Sequence, residues 1–218
     1  MKALIIYGGW QGHEPEACAK TIATALKRKR VTVTMSETFD VLNKISDIRR
    51  YDVIVPIWTM GSMEPKQFEN LNKAVRGGVG LAGFHGGMGD SMRGNLEFNW
   101  MVGGQFVGHP YVGDHDIYLT DMHNGITKGM PSRFTYNSEQ YYMIVDPGNN
   151  VLAETLYDYD GHTITMPCIW TKNWGKGRIF YSALGHVAKE FRTYKHVLAM
   201  TIRGIIWAGE SKKRGTGI

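Results

Sequence analysis

Three histidines stand in turns that follow segments the sequence predicts as β-strands. They are His13, His85 and His186, out of eight histidines in a chain of 218 residues. An imidazole serves as a general base, a general acid or a metal ligand near neutral pH. Because ligands of an open parallel sheet bind beyond the carboxyl ends of its strands, we expect the three imidazoles to share one site.

His85 stands at the centre of the segment Gly83-Phe84-His85-Gly86-Gly87. This pattern is that of a nucleophile elbow, in which small residues let the chain turn sharply between a strand and a helix and push the central side chain into the site. An imidazole is a poor acyl-enzyme nucleophile, so we expect His85 to act as a base, an acid or a metal ligand. The pattern is equally compatible with a glycine-rich turn that carries an incidental histidine.

A divalent metal ion such as zinc is the candidate cofactor of this site, with His13, His85 and His186 as its candidate ligands. Their scattered spacing is weaker evidence than an H-E-x-x-H motif. Residues 114–116 (DHD) also resemble a ligand cluster, but alternate side chains of a strand face opposite ways. We expect no nucleotide cofactor.

The first half of the chain predicts the elements that position these groups. Apolar or alternating runs at 3–7, 31–35, 52–57 and 79–84 predict strands. Helix signals separate them: Pro15, Asp40 and the pair Glu64-Pro65 each precede a helical pattern. Alternation of strand and helix predicts an α/β fold of three layers, doubly wound, with a mostly parallel sheet.

The second half is less regular. Residues 115–119 and 134–144 are compatible with short strands or loops, and 151–157, 163–171 and 177–183 with strands. Helical spacing of apolar residues predicts a final helix over 188–208. We therefore predict a single domain over 1–210, followed by a basic, mobile tail at 211–218.

Composition indicates an ordinary globular protein, with 43% hydrophobic and 21% charged residues. The net charge is +5, but Lys212, Lys213 and Arg214 of the tail supply three of these charges, so we expect no nucleic-acid partner. The apolar runs are too short for a membrane span or a secretory signal, which predicts a cytoplasmic protein. Cys18 and Cys168 lack the spacing of a zinc ribbon or a redox pair.

Five stretches, in order along the chain, resemble the ThuA-like (trehalose utilisation) family. They are GGWQGHEPE at 8–16, GFHGGMGDSMR at 83–93, MVGGQFVGHP at 101–110, SEQYY at 138–142 and GKGRIFYSALGH at 175–186. The segment His123-Asn124-Gly125-Ile126 departs from the family, in which a His-Pro dipeptide is more usual.

The ThuA-like family is similar in fold to the class I glutamine amidotransferases, which implies a flavodoxin-like sheet. In those enzymes the elbow holds a catalytic cysteine and a histidine closes a late strand. By position, His85 replaces the cysteine and His186 resembles the histidine. Amidotransferase activity is not expected, because no cysteine stands in the elbow and Cys168 lies within a predicted strand.

The resemblance implies a role in disaccharide or glucoside catabolism beside a sugar dehydrogenase that makes 3-keto intermediates. We expect a lyase, isomerase or hydrolase that removes a proton beside the carbonyl of a 3-keto-glucoside or keto-disaccharide. Its base would be Glu139 or His186, and His85 would polarise the carbonyl or hold a metal. The alternative is a non-catalytic sugar-binding or regulatory protein. A hydrolase that uses Ser62 or Ser182 ranks last, because neither stands in an elbow sequence.

Further candidates would bind the sugar substrate. Glu139 has aromatic neighbours, and a carboxylate in such surroundings is partly desolvated, which favours basicity. Aromatic rings suit the apolar faces of sugar rings. The substrate-binding candidates are Trp10, His13, Trp58, Gly86, Gly87, His109 and Tyr141. Exposed aromatic residues would suit the interface of a homo-oligomer equally well.

Overall fold

Nine strands and seven α-helices make up the part of the chain that the structure, a computed structural model, describes, residues 1–212. The strands are β1 Lys2–Gly9, β2 Thr32–Ser36, β3 Val53–Thr59, β4 Gly80–Phe84, β5 Gly104–Leu119, β6 Arg133–Val145, β7 Asn150–Tyr159, β8 His162–Trp174 and β9 Gly177–Ser182. The helices are α1 Pro15–Arg28, α2 Ile45–Ile48, α3 Pro65–Arg76, α4 Gly86–Gly89, α5 Leu96–Val102, α6 Ala188–Thr193 and α7 Lys195–Gly209. Short 3₁₀ turns cover Gln11–His13 and Phe39–Leu42.

All nine strands form one sheet in the order β2-β1-β3-β4-β9-β8-β7-β5-β6. The first five of this series run parallel to one another, in the flavodoxin-like order. The α/β prediction is confirmed, but the prediction of a mostly parallel sheet is wrong. Four strand pairings are parallel and four are antiparallel within residues 1–212, and the two longest, β5–β6 and β7–β8, are antiparallel.

The antiparallel half arises because the chain leaves the doubly wound pattern after β4. It builds two long hairpins, β5–β6 and β7–β8, before it returns as β9 parallel to β4. The predicted segments 134–144, 151–157 and 163–171 lie within β6, β7 and β8, but 115–119 covers only the end of β5. Many residues of β5 are exposed, and register shifts between Phe106 and Tyr111 break its alternation. His109, one of the substrate-binding candidates, lies within β5.

The parallel half forms because its strands are apolar throughout. Residues 3–6 of β1 are at most 1% exposed, since helices cover both faces of this part of the sheet. The helix α1 begins at Pro15 as expected, and Cys18, Ile22 and Leu26 are buried on one side of it. Full burial of each Leu or Ile side chain contributes about 1.5–3 kcal/mol, so this half holds the strand ends in fixed positions.

The final helix is interrupted at Tyr194, which separates α6 from α7. Tyr194 has φ −102° and ψ 84°, outside the helical region, and its hydroxyl accepts a hydrogen bond from the backbone N–H of Asn137 in β6 at 3.1 Å. The break thus ties the C-terminal helices to the outermost strand of the antiparallel half.

The first two residues of the expected tail lie against the body of the protein. Ser211 donates to the carbonyl of Gly78, and Lys212 to that of Arg49, both at 2.7 Å. The rest of that tail, 213–218, lies outside the described residues, and the prediction of one domain stays a prediction. In residues 1–212, every helix is too short or too polar to cross a membrane.

Candidate functional site

The carboxyl ends of the parallel strands bring three imidazoles together. His13 follows β1, His85 follows β4 and His186 follows β9. The ring centres lie 4.7 Å apart for His13 and His85, 4.8 Å for His13 and His186, and 4.9 Å for His85 and His186. We call these three residues the imidazole cluster. The sequence-based expectation that they share one site agrees with this geometry.

The elbow holds His85 in a strained backbone conformation. Its φ is 49° and its ψ is −142°, a region that L residues rarely adopt and that costs about 1–3 kcal/mol. Its N–H donates to the carbonyl of Ser182 at 2.6 Å, and its carbonyl accepts the Tyr181 hydroxyl at 3.0 Å. These bonds, from the neighbouring strand β9, keep the turn in place.

The His85 side chain lies beneath the site surface rather than on it. Tyr141 Oη lies 2.9 Å from His85 Nδ1, and the opposite nitrogen, Nε2, lies 3.4 Å from Glu139 Oε2. A proton on Nε2 that points at the carboxylate is favoured over a lone pair there, so the Tyr141 hydroxyl donates to Nδ1. Burial lowers the pKa of His85 well below its ordinary value and raises that of Tyr141, which keeps both groups neutral.

Glu139, carried by β6, is the carboxylate around which the imidazoles gather. Besides His85, its neighbours are His186, whose Nδ1 lies 3.6 Å from Oε1, and His109, whose Nε2 lies 3.7 Å from Oε1. Side-chain exposure is 44% for His109, 22% for His186, 12% for Glu139 and 2% for His85. His109 and His186 are therefore the imidazoles of this group that solvent reaches most easily, and His85 lies behind Glu139.

His13 closes the cluster from the side of β1. Its Nδ1 lies 2.7 Å from the hydroxyl oxygen of Thr59 at the end of β3, and its ring contacts that of Trp10 at 4.7 Å. The room for this ring exists because residue 86 is a glycine, since a Cβ there would come within 2.6 Å of the imidazole. Burial and the nearby His186 and His109 lower the pKa of His13 to about 4.

The low pKa of His13 predicts a loss of stability in acid. The unfolded chain takes up this proton near pH 6.5, whereas the folded protein takes it up only near pH 4. Stability from this group is thus complete above pH 6.5 and falls as the pH drops towards 4, by about 3 kcal/mol at about 1.4 kcal/mol per unit. Urea unfolding at pH 7 and pH 4.5, with a chelator present, measures the change.

The matched control for this pH effect is a second histidine substitution. We expect His13→Gln to make the fall in stability between pH 6.5 and pH 4 shallower, while buried His85 still contributes to it. His123→Gln, at an exposed turn position, should leave the pH dependence as in the wild type. Equal pH slopes for the wild type and His13→Gln would contradict the assignment.

His186 is positioned by Glu190, a residue that the sequence reasoning missed. The Glu190 carboxylate accepts hydrogen bonds from the His186 backbone N–H at 2.8 Å, from the Ser138 hydroxyl at 2.8 Å and from the Tyr136 hydroxyl. Tyr136 in turn accepts the N–H of Gly185 at 2.8 Å. A glutamate four residues after His186, in the first turn of a helix, was the available signal. Thr59 was missed as well, and no motif marks it.

Other expected substrate-binding residues take different places. Trp10 stands at the rim and is half exposed, and Tyr141 is buried behind His85. Trp58 packs against Phe39 at 4.3 Å between ring centres, in contact with the glycines of the β1 turn. Gly87 lies against the backbone of β3, where a Cβ would come within 2.9 Å of Ile57 Cα, so it serves close packing.

The remaining nucleophile and ligand candidates are engaged elsewhere. Cys18 and Cys168 are buried, and burial raises the pKa of both thiols. Asp116 pairs with Arg133, while the His115 ring bonds the carbonyl of Gly113 at 3.0 Å. The side chains of residues 114–116 thus contact different partners, as expected from the alternation of side chains along a strand. Ser182 is buried, and its hydroxyl accepts the Leu184 N–H at 3.2 Å.

His109 also borders a groove of about 700 Å³ on the antiparallel half. The other side chains of this groove are largely aromatic or apolar and come from β5 to β8. They include Val107, Tyr111, Tyr142, Tyr157, Tyr159 and Ile164. One exposed imidazole therefore faces both the Glu139 carboxylate and an aromatic groove.

Comparison with known proteins identifies a family for the chain and structures with a similar fold. The family model ThuA, described as trehalose utilisation, matches residues 2–208. Curated protein sequences give no significant match. Two solved structures described as ThuA-like superpose over nearly the whole chain. The one from Bacteroides uniformis has a TM-score of 0.78 and 18% identity, covering 95% of this chain and 91% of its own. The one from Parabacteroides merdae has a TM-score of 0.75 and 19% identity, covering 96% and 90%.

A more distant structure has the same fold within a larger protein. A β-galactosidase from Bacillus circulans sp. alkalophilus matches 97% of this chain with 31% of its own, at a TM-score of 0.61 and 14% identity. At such identities these likenesses show a shared α/β fold with a large mixed sheet and carry no statement about activity.

Proposed function

Because the chain belongs to the ThuA, or trehalose utilisation, family, we propose that it is an enzyme that removes a proton beside the carbonyl of a 3-keto-glucoside or keto-disaccharide. One observation carries the proposal. The Glu139 carboxylate lies 3.4 to 3.7 Å from three imidazoles, and two of these, His109 and His186, are open to solvent. A carboxylate with exposed imidazoles supplies both a proton acceptor and a donor to a developing negative charge.

His109 and Glu139 form the proton acceptor. His109 is the most exposed of the imidazoles around Glu139, so it is the one that reaches the substrate. The carboxylate at 3.7 Å stabilises the imidazolium that forms when His109 takes the proton. His85 and Tyr141 are positioning residues, because they hold the far oxygen of Glu139 and are themselves buried.

The chemistry follows from the acidity of a C–H group beside a ketone. His109 takes the proton from C2, the electron pair of that C–H bond moves towards the 3-keto oxygen, and an enediolate forms. His186 donates a hydrogen bond to this oxygen. The enediolate either regains a proton at a new position, which isomerises the sugar, or expels the C1 substituent. In the second course the enediolate oxygen re-forms the C3 carbonyl, and the C2–C3 double bond is replaced by a C1–C2 double bond. The C1–O bond breaks, and the proton on His109 passes to the departing oxygen.

Trp10 and the tyrosine groove would bind the sugar rings. Trp10 stacks edge-on against His13 and leaves much of its indole exposed at the rim. A second ring of the substrate would extend past His109 into the groove lined by Tyr111 and Tyr142. Aromatic faces cover the apolar faces of sugars, while the imidazoles fix their orientation.

The direct test is proton NMR of 3-keto-trehalose in D₂O. We expect the wild type to remove the signal beside the carbonyl, or to release glucose, far faster than buffer does. His109→Ala should slow this by about 100-fold or more, in the range typical of general bases. The control His123→Ala, an exposed histidine outside the cluster, should match the wild type.

Two outcomes would count against the proposal. An unchanged spectrum with the wild-type protein would exclude catalysis on keto-sugars. Saturable binding of the sugar without turnover would favour instead a sugar-binding or regulatory protein on an amidotransferase-like fold.

A further inference from the structure

We propose that His13, Glu139 and His186 bind one divalent transition-metal ion, of the Zn²⁺ class, while His85 stays outside the coordination shell as the hydrogen-bond donor that holds Glu139. The sequence suggested His13, His85 and His186 as ligands, so this proposal exchanges an imidazole for a carboxylate. The proposal that an ion binds is argued from the geometry alone. The role of the ion in catalysis rests on the proposed function.

The three side chains offer ligand atoms at nearly the required separation. One ligand atom from each of His13, Glu139 and His186 lies within 4.8 Å of the other two. In a tetrahedral zinc site with bonds of about 2.1 Å, ligand atoms stand about 3.4 Å apart. His186 Nδ1 and Glu139 Oε1 already lie 3.6 Å apart. Side-chain rotations that shift the other ligand atoms by about an ångström complete the set.

His13 is held in the manner of a metal ligand. Its Nδ1 is 2.7 Å from the hydroxyl oxygen of Thr59. In the tautomer in which Nδ1 donates to this oxygen, Nε2 carries a lone pair that an ion can use. Ligating histidines typically use their second ring nitrogen for such a bond, which fixes both tautomer and ring orientation. Because Gly86 has no Cβ, the His13 ring has room to lie over the elbow.

His85 supplies the second observation. It is 98% buried, and its Nε2 makes no hydrogen bond of ordinary geometry within the described residues, although Glu139 Oε2 lies 3.4 Å away. Its Nδ1 is taken by Tyr141. Buried polar atoms rarely remain without a partner. A carboxylate that gives one oxygen to the ion and turns the other towards His85 satisfies this nitrogen.

One side of the site stays open. Three protein ligands plus a position for water or substrate are the mark of catalytic zinc sites, and two imidazoles with one carboxylate are a known ligand set for them. His109, at 44% exposure and 3.7 Å from Glu139 Oε1, stands on the solvent side. An ion here would polarise the keto oxygen and leave His109 free to take the proton.

The test uses the untagged protein, stripped with a chelator and dialysed. Calorimetric titration with Zn²⁺ and visible absorption with Co²⁺ should both show one equivalent bound. His13→Ala, Glu139→Gln and His186→Ala should each weaken binding by about 100-fold or more. His85→Gln should weaken it by about 10-fold, the usual effect of losing an outer partner. His123→Ala and His162→Ala, both exposed, should bind as the wild type.

Absence of a one-equivalent site, or wild-type affinity in all three ligand variants, would overturn the proposal. Near-ultraviolet circular dichroism checks that each variant folds, and the isosteric Glu139→Gln carries the test if an alanine variant does not. The proposed function has a separate outcome. Proton exchange on the keto-sugar without metal binding would support the proposed function and contradict the metal site. Metal binding without proton exchange would support the metal site and contradict the proposed function.

Discussion

Glu139→Gln should lower the rate of proton abstraction from a 3-keto-glucoside by about 1000-fold, the effect expected when a catalytic imidazole loses its carboxylate partner. The amide has nearly the same shape as the carboxylate but no negative charge. It therefore no longer stabilises protonated His109, whose Nε2 lies 3.7 Å from the carboxylate. It also offers a weaker acceptor to His85 at 3.4 Å. The initial rate of deuterium incorporation measures the loss.

The control for this variant is Glu154→Gln, which changes a partly buried glutamate of β7 in the same way. We expect it to keep wild-type activity. The free energy of unfolding should differ by less than about 1 kcal/mol between Glu139→Gln and the wild type, because shape and hydrogen-bonding capacity are retained. A Glu139→Gln protein with more than a tenth of wild-type activity would show that this carboxylate is not part of the proton acceptor.

Glu190→Ala should destabilise the protein by about 3 kcal/mol and reduce activity as well. The Glu190 carboxylate accepts three hydrogen bonds, from the Tyr136 hydroxyl, the Ser138 hydroxyl and the His186 N–H. Tyr136 is fully buried, so its hydroxyl would lose its acceptor where water does not reach it. The turn that carries His186 would lose its anchor. Urea unfolding at pH 7 measures the change in stability.

Two further variants separate the hydrogen bonds of Glu190 from its helical position. Lys189→Ala removes an exposed neighbour in α6 and should cost less than about 0.5 kcal/mol. Tyr136→Phe combined with Glu190→Ala should cost less than the sum of the single changes, because the unpaired hydroxyl is then absent. Full additivity of the two would contradict the proposed contact, as would a loss of less than about 1 kcal/mol for Glu190→Ala.

The parallel half of the fold was predictable because its signals are local. The apolar run at residues 3–6 requires a strand buried on both faces, and Pro15 fixes the start of the helix that covers it. Once four such strands are parallel, their carboxyl ends share one edge, which places His13 near His85. The family motifs added the match of His186 to the histidine that closes a late strand.

The antiparallel half was not predictable in the same way, because hairpin register depends on contacts between residues far apart in the sequence. β5 is a long strand with many exposed residues and with register shifts against β6, so its periodicity is weak. Only their pairing brings Glu139 and Tyr141 over the elbow, and places His109 on a strand beside Glu139.

The sequence by itself indicated which histidines meet at the strand ends. Buried apolar runs predicted the strands that His13 and His85 follow, and the family motifs matched His186 to the end of a late strand. Only the tertiary structure decided where each side chain lies and how exposed it is. His85 is buried behind Glu139, and His109 is exposed. Glu139, from the strand at the edge of the sheet, lies at the centre of the site. Residue type and spacing do not show how deeply a side chain is buried or which residue it faces on a paired strand. Burial and strand register distinguish a group that can contact a substrate from one that only holds another group in place.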